Sequence, residues 1–555
     1  MIYEVGNRIN GFLLKSHEPI REINGEAYTF FHEETGANLF FLKNHDENKV
    51  FNITFGTPPI DDCGTPHILE HSILCGSKNY PARESFIELA KSSLKTFINA
   101  FTFPDKTMYP VASMNNRDFI NLVTVYMDAV FQPNLLEKED IFLQEGWHLE
   151  FNEEEELLYQ GVVYNEMKGV YSSPDALLRR KVQDYLFPDT CYGKESGGDP
   201  DYIPKLTFEG FKDFYRKHYF PANGQIFLYG DISEAVLEEL TQVMNWKLAE
   251  AKSGRENEKV LFEMQRPFDE PKVIRIPVPA EEESGEKAYY GFGWCVGESL
   301  NSELAFGMDV LAHILAGTPS SPLKRGLIES GIGRDVSLSH DGGILQPTLA
   351  LSIKGGKKGA VEEVRTAVLD CLKTLATEGI DPELLEASMN YVEFQFREAD
   401  FGGYPKGLIY GLQVAETWLY GGDPTERLKF EVRLARIRTL MKERYFEGLI
   451  EKYMLKNKHA VAVELYEESG LALKNSLKLK DAMGKKKDEL WGSGIEKIKR
   501  DMAMLKRIQT DGDQEKELRK LPLLQLSEIS KDHKEKRRAY IGKGVLATEL
   551  DTAGI

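Results

Sequence analysis

Two stretches far apart in the chain carry the same order of apolar and polar positions. FKDFYRKHYFPANGQIFLYGDISEAVLEEL begins at Phe211, and FEGLIEKYMLKNKHAVAVELYEESGLALKNSL begins at Phe446. In each, apolar residues first recur every three or four positions, as on one face of a helix. They then alternate, as in a strand, and afterwards return to helical spacing. Phe211 aligns with Phe446, Ile226 with Val461 and Leu228 with Val463 at one constant offset. Two copies of one α/β unit is the economical prediction.

The text upstream of each stretch agrees. EAYTFFHEETGANLFFLKN and KVFNITFGT read as strands, and a helix follows from about Thr65. AYYGFGWCVGE reads as a strand before the helical SELAFGMDVLAHILAG. Between the copies, the charged and proline-bearing stretch from 251 to 287 lacks helical periodicity and reads as a boundary. Beyond about 468 the chain becomes Lys- and Glu-rich with apolar residues at helical spacing, which predicts a helix pair. The expected organisation is a first unit over 1–255, a linker over 256–287 and a second unit over 288–467. A helical region over 468–525 follows, and a β-rich opening of a further segment over 526–555. The fold class is α/β (α+β): each unit is a sheet with packed helices.

Composition narrows the function. The chain has 555 residues, too many for one core. With 69 basic and 88 acidic residues its formal charge is −19, which argues against nucleic acid as a partner. No apolar run is long enough to span a membrane. The first residues lack the apolar core of a secretory signal, so the expected location is cytoplasmic. Five widely spaced cysteines with no C-x-x-C predict free thiols, and Cys63 and Cys75 are weak ligand candidates. The glycine clusters near 317 and 355 match neither a P-loop nor G-x-G-x-x-G.

The candidate chemistry lies in TPHILEHSILCGSKNYP, from Thr65 to Pro81. On a helix, His67 and His71 sit on one face, about 40° apart, and can grip one ion. Glu70 lies about 80° from their midpoint, as does the glutamate of H-E-x-x-H in the opposite sense. H-x-x-E-H is therefore the reversed spelling of that zinc motif. Its counterpart helix in the second unit carries His313 alone. A catalytic zinc needs a third protein ligand, with Glu145, Glu150, Glu166 and Asp175 as acidic candidates. Glu166 falls where a β-like run gives way to a helical pattern, and spacing alone does not choose it.

GTPHILEHSILCGSKNYP, LKTFINAFTFPDKTMYP, GVVYNEMKGVYSSP, FPANGQIFLYGD, SSPLKRGLIESGIG and YPKGLIYGLQVAETWLYGGDP together cover parts of the first 425 residues or so. In these stretches the chain resembles the presequence protease branch of the pitrilysin/insulysin zinc metallopeptidase family. The resemblance implies one Zn²⁺ per chain on His67, His71 and Glu166, with Glu70 as general base. It implies that the edge around Asn99 and Ala100 pairs with a peptide backbone, and that Leu74, Phe86 and Ile87 line an apolar pocket. The implied activity is zinc-dependent cleavage of unstructured peptides. Members of this branch have four homologous units in two halves, and the second half contributes an Arg and a Tyr to the site. Only the opening of that half is expected here, in KGVLATELDTAGI. The half-length chain is therefore expected to be weak or inactive alone. Its candidate partners are peptides, a separate second-half chain or another copy of itself. A non-catalytic, partner-dependent subunit is the alternative.

Overall fold

Alternating aromatic and aliphatic residues build the first sheet. Its strands are β1 (Arg8–Ile9), β2 (Phe12–Ile20), β3 (Gly25–His32), β4 (Asn38–Lys43), β5 (Lys49–Gly56), β6 (Lys95–Ile98), β7 (Phe101–Thr102) and β8 (Lys106–Ser113). The hairpin β9 (His148–Phe151) and β10 (Leu157–Gln160) stands apart, and β11 (Gly224–Gly230) returns to the sheet. The order is β1-β2-β3-β4-β11-β5-β8-β6, with β7 also paired to β8. The computed structural model describes residues 4–251, 260–280, 287–399, 402–529, 538–540 and 546–548.

The second sheet comprises β12 (Lys272–Pro279), β13 (Lys287–Cys295), β14 (Asp335–Asp341), β15 (Thr348–Lys357) and β16 (Ala460–Glu468), in the order β12-β16-β13-β15-β14. The internal repeat is visible in the pairing. β11 runs parallel to β4 and antiparallel to β5; β16 runs parallel to β12 and antiparallel to β13. Ile226 and Val461 occupy equivalent inserted strands, and both are buried.

The linker expected over 256–287 needs correction, because it contains β12, paired along its length with β16. Pro277 and Pro279 suggested a linker, but β12 is an edge strand, where a missing N–H costs no ladder bond on the open side. Helices Leu471–Glu489 and Gly492–Asp511 form the expected pair. Leu157 of the β9–β10 hairpin packs with Met483 and Ile498 of these helices. Most of KGVLATELDTAGI lies outside the described residues; its Leu546–Thr548 pairs with Arg538–Tyr540. Among the described residues no helix is long and apolar enough to cross a membrane.

The two units exchange helices. Helix Pro174–Leu186 of the first unit places Leu178, Val182 and Leu186 against Val461, Val463 and Leu465 of the second sheet. The approach requires glycine in β13: a Cβ on Gly291 or Gly293 would lie 2.6 or 2.5 Å from Val182. Helix Lys406–Trp418 of the second unit places Tyr410 and Val414 against Phe40, Phe227 and Tyr229 of the first sheet. The site lies on the opposite side of the first sheet, in helices that pack on its larger core.

Candidate metal centre

Helix Thr65–Ile73 starts after Gly64, which has φ 69°, and carries Pro66 in its first turn. Proline is preorganised there and sacrifices no helical hydrogen bond. Ile68, Leu69 and Ile73 are fully buried in the first core, which fixes the rotation of the helix. His67 and His71 then share another face, with ring centroids 4.9 Å apart.

Each histidine is held on its Nδ1 side. His67 Nδ1 lies 2.9 Å from the Gly197 carbonyl oxygen. A carbonyl only accepts, so Nδ1 carries the proton and Nε2 keeps its lone pair. His71 Nδ1 lies 3.4 Å from Glu145 Oε2. Burial pulls the His71 imidazolium down in pKa. The hydrogen bond to Glu145 and the charges of Glu70, Glu145 and Glu166 outweigh it, and the net displacement is upward.

Glu166 Oε2 faces both free nitrogens, 3.8 Å from His67 Nε2 and 3.7 Å from His71 Nε2. The three ligand atoms lie within 4.8 Å of one another. Around tetrahedral zinc, with bonds of about 2.0–2.1 Å, ligand atoms stand about 3.3–3.5 Å apart, so a small contraction closes the cage. Two imidazoles and one carboxylate are also a donor set of catalytic zinc. Side-chain exposure rises from 11% at His67 through 26% at His71 to 49% at Glu166, which leaves the Glu166 side open. Among the described residues no other three His, Cys, Asp or Glu side chains are grouped closely enough to share an ion.

Glu166 is not at a strand-to-helix junction. Helix Val162–Val170 begins at the first valine, and Glu166 sits in its second turn. The β-branched pair Val162–Val163 suggested a strand, but packing of Val163, Tyr164 and Met167 into the core overrides that preference. The other acidic candidates go elsewhere: Glu145 to the far side of His71, Glu150 to His148 and Asp175 to Lys354. Cys63 Sγ donates to the Tyr202 carbonyl and Cys75 Sγ to that of His71.

Glu70 is part-buried, and its carboxylate makes no hydrogen bond or ion pair among the described residues. Asn99 and Ala100 fall between β6 and β7 on the edge of the first sheet. Asn99 is turned inward through its backbone: its N–H donates to the Pro110 carbonyl, and its carbonyl accepts from Tyr126 Oη. Ala100 makes no backbone hydrogen bond among the described residues. Leu74 and Phe86 pack, partly buried, on the first core, whereas Ile87 is 45% exposed. Sequence reasoning missed the Gly197 carbonyl, which no side-chain pattern announces. It counted Glu145 as a candidate ligand rather than a partner of His71.

The chain thus has two α/β units, the first of which carries a His₂Glu cluster on helices Thr65–Ile73 and Val162–Val170. Two family profiles match it: "Insulinase (Peptidase family M16)" over residues 59–174 and "Peptidase M16 inactive domain" over 205–392. The chain belongs to this pitrilysin/insulinase family and is presequence-protease-like within it. It is 42% identical to Protein HypA of Clostridium perfringens over 536 residues, covering 96% of this chain and 55% of that protein. It is also 42% identical to Presequence protease 1, chloroplastic/mitochondrial, of Arabidopsis thaliana over 534 residues, covering 94% and 49%. The chain thus spans about half the length of these curated relatives. In fold it is similar to a protease from Helicobacter pylori (TM-score 0.60, 16% identity, 78% of this chain and 97% of that one). It is similar too to pitrilysin (TM-score 0.57, 18% identity, 82% and 46%).

Proposed function

We propose that this chain is the metal-bearing part of a zinc-dependent endopeptidase that cuts unstructured peptides. The observation that carries this reading is the convergence of His67 Nε2, His71 Nε2 and Glu166 Oε2. These three residues would hold one Zn²⁺. Bound there, the ion would supply a Lewis acid for the scissile carbonyl and activation for water. His67 and His71 turn their Nε2 atoms toward Glu166, with the Gly197 carbonyl and Glu145 on their Nδ1 sides. Glu70, beside them and without a hydrogen bond or ion pair among the described residues, takes the proton of the attacking water and passes it to the leaving amine nitrogen. Peptide main chain adds to the open edge of β6 and β7, beside Asn99 and the buried Ala100. Leu74, Phe86 and Ile87 receive an apolar side chain beside the cut. Five unpaired cysteines support a reducing compartment, the cytoplasm.

The test is metal analysis of the purified chain with chelator-sensitive cleavage of an unstructured peptide. One zinc per chain with cleavage abolished by Glu70→Gln is the expected result. A chain that takes up no zinc at micromolar concentration overturns it. A second reading, a partner-dependent or non-catalytic subunit, is favoured by one observation: the Glu166 side chain is 49% exposed, so the described residues leave one side of the cluster open. It predicts stoichiometric zinc without cleavage until a second-half chain is added.

A further inference from the structure

The Gly197 carbonyl that orients His67 belongs to a loop held from several sides. Glu195 Oε1 accepts the Gly197 N–H at 3.1 Å, and Glu195 Oε2 lies 2.9 Å from Arg180 Nε. The same Oε2 accepts from Tyr171 Oη at 3.3 Å, and Tyr171 caps the helix that carries Glu166. The Glu195 N–H donates to Asp62 Oδ1, and the Asp199 N–H to the Asp62 carbonyl. Asp62 stands just before the histidine helix. Gly198 packs so closely on Gly64, at the start of that helix, that a Cβ on Gly64 would lie 2.5 Å from the Gly198 Cα.

Arg180 is the hub. Its side chain is only 11% exposed, and its guanidinium faces three carboxylates: Glu195, Asp184 at 2.5 Å and Asp62 at 3.8 Å. It sits on helix Pro174–Leu186, whose apolar face lies on the second sheet. One ion-paired carboxylate therefore touches the loop that orients one ligand and the cap of the helix that carries another.

We propose that Arg180 and Glu195 are positioning residues of the metal centre. Glu195 fixes the Gly197 peptide, whose carbonyl sets the tautomer and ring plane of His67. Arg180 fixes Glu195 and ties it to the helix seated on the second unit. The metal geometry is thereby set partly by the unit that carries no ligand. This rests on the zinc reading above and adds residues that do not touch the ion.

The experiment is titration of the full chain with Zn²⁺ against a chromophoric chelator, and with Co²⁺ followed by its visible absorption. Outer partners of ligating histidines typically contribute about 10–100-fold in metal affinity. Glu195→Ala is expected to weaken zinc by that factor and to shift the cobalt bands. Glu195→Gln, whose amide oxygen still accepts from Gly197, should recover most of the affinity. A purely structural role lowers the unfolding midpoint of the metal-free chain but leaves affinity and cobalt spectrum at wild-type values, and that result overturns the proposal. If Glu195→Ala does not fold, Arg180→Lys decides: several-fold weaker zinc supports the proposal, and unchanged affinity with an unchanged spectrum refutes it. Wild-type chain that binds neither metal overturns the zinc reading itself, whereas tight wild-type binding with indifferent variants overturns only the positioning roles.

Discussion

At the scale of single residues, substitution of a proposed ligand and of the proposed base should differ in what is lost. His71 Nε2 is one of three atoms that converge on the candidate ion position. His71→Ala is expected to abolish stoichiometric zinc, read by metal analysis after gel filtration. Glu70 contributes no atom to that cluster. Glu70→Gln should keep full zinc and lower cleavage by about 10²–10⁴-fold, the usual contribution of a positioned base. Retained cleavage would assign the base to another group. That His67 and His71 share one helix face was legible in the chain, because H-x-x-E-H is a local pattern. Gly197 was not, because its contribution is a backbone oxygen delivered from 130 positions away.

At the scale of elements, two contacts govern how the first unit is held. Asp128 of helix Asn116–Phe131 and Lys247 of helix Glu234–Glu250 form a fully buried pair at 2.6 Å. Asp128 also accepts from Ser77 Oγ and from the Asn79 backbone and side chain, in the loop after the histidine helix. Burial pushes the Asp128 carboxyl up. Hydrogen bonds from Lys247, Ser77 and Asn79 and the Lys247 charge outweigh it, so its pKa lies below the usual carboxylate range. Its native value is thus below the unfolded value of about 3.9. The stability it contributes is present above about pH 4 and is lost as pH falls through the native value. Lys247→Met, which strands a buried charge, is expected to cost about 3–5 kcal/mol at pH 7, seen as a lower urea midpoint. The advantage of wild type over Asp128→Asn should narrow below about pH 4. The second contact is the seat of helix Pro174–Leu186 on β13. Gly293→Ala would put a methyl 2.5 Å from Val182 and should cost about 1–3 kcal/mol by overpacking, measured by the same denaturation.

At the scale of the whole molecule, the open side of the cluster matters most. The 49% exposure of Glu166 means that the described residues build only one wall around the candidate centre. Loss of one preorganised donor to a developing oxyanion commonly costs about 10²–10³-fold in rate. The 555-residue chain alone is therefore expected to be a weak peptidase. A separately expressed second half of a full-length relative should raise its rate by about that factor. The measurement is cleavage of an unstructured peptide of about 20–40 residues, which spans the site at about 3.3 Å per residue. It compares both preparations at matched zinc. Robust chelator-sensitive cleavage by the single chain would show that no second wall is required.

The chain by itself determined whatever is periodic or local: the repeated helix–strand–helix unit, the histidine helix and the late helix pair. Apolar spacing repeats with the geometry of each element, so it can be read without knowing the neighbours. Pro277 and Pro279 misled because edge strands tolerate proline, and the strand's place at an edge is a property of the finished sheet. Val162 and Val163 misled because burial of one helix face outweighs their β preference. Only the tertiary structure decided which carboxylate meets the histidines. Glu145, Glu150, Glu166 and Asp175 are chemically similar, and the choice depends on how the helices bearing Glu145 and Glu166 pack around His71. It also decided that each unit lends a helix to the other's sheet, because glycine in β13 signals a close approach without naming what approaches.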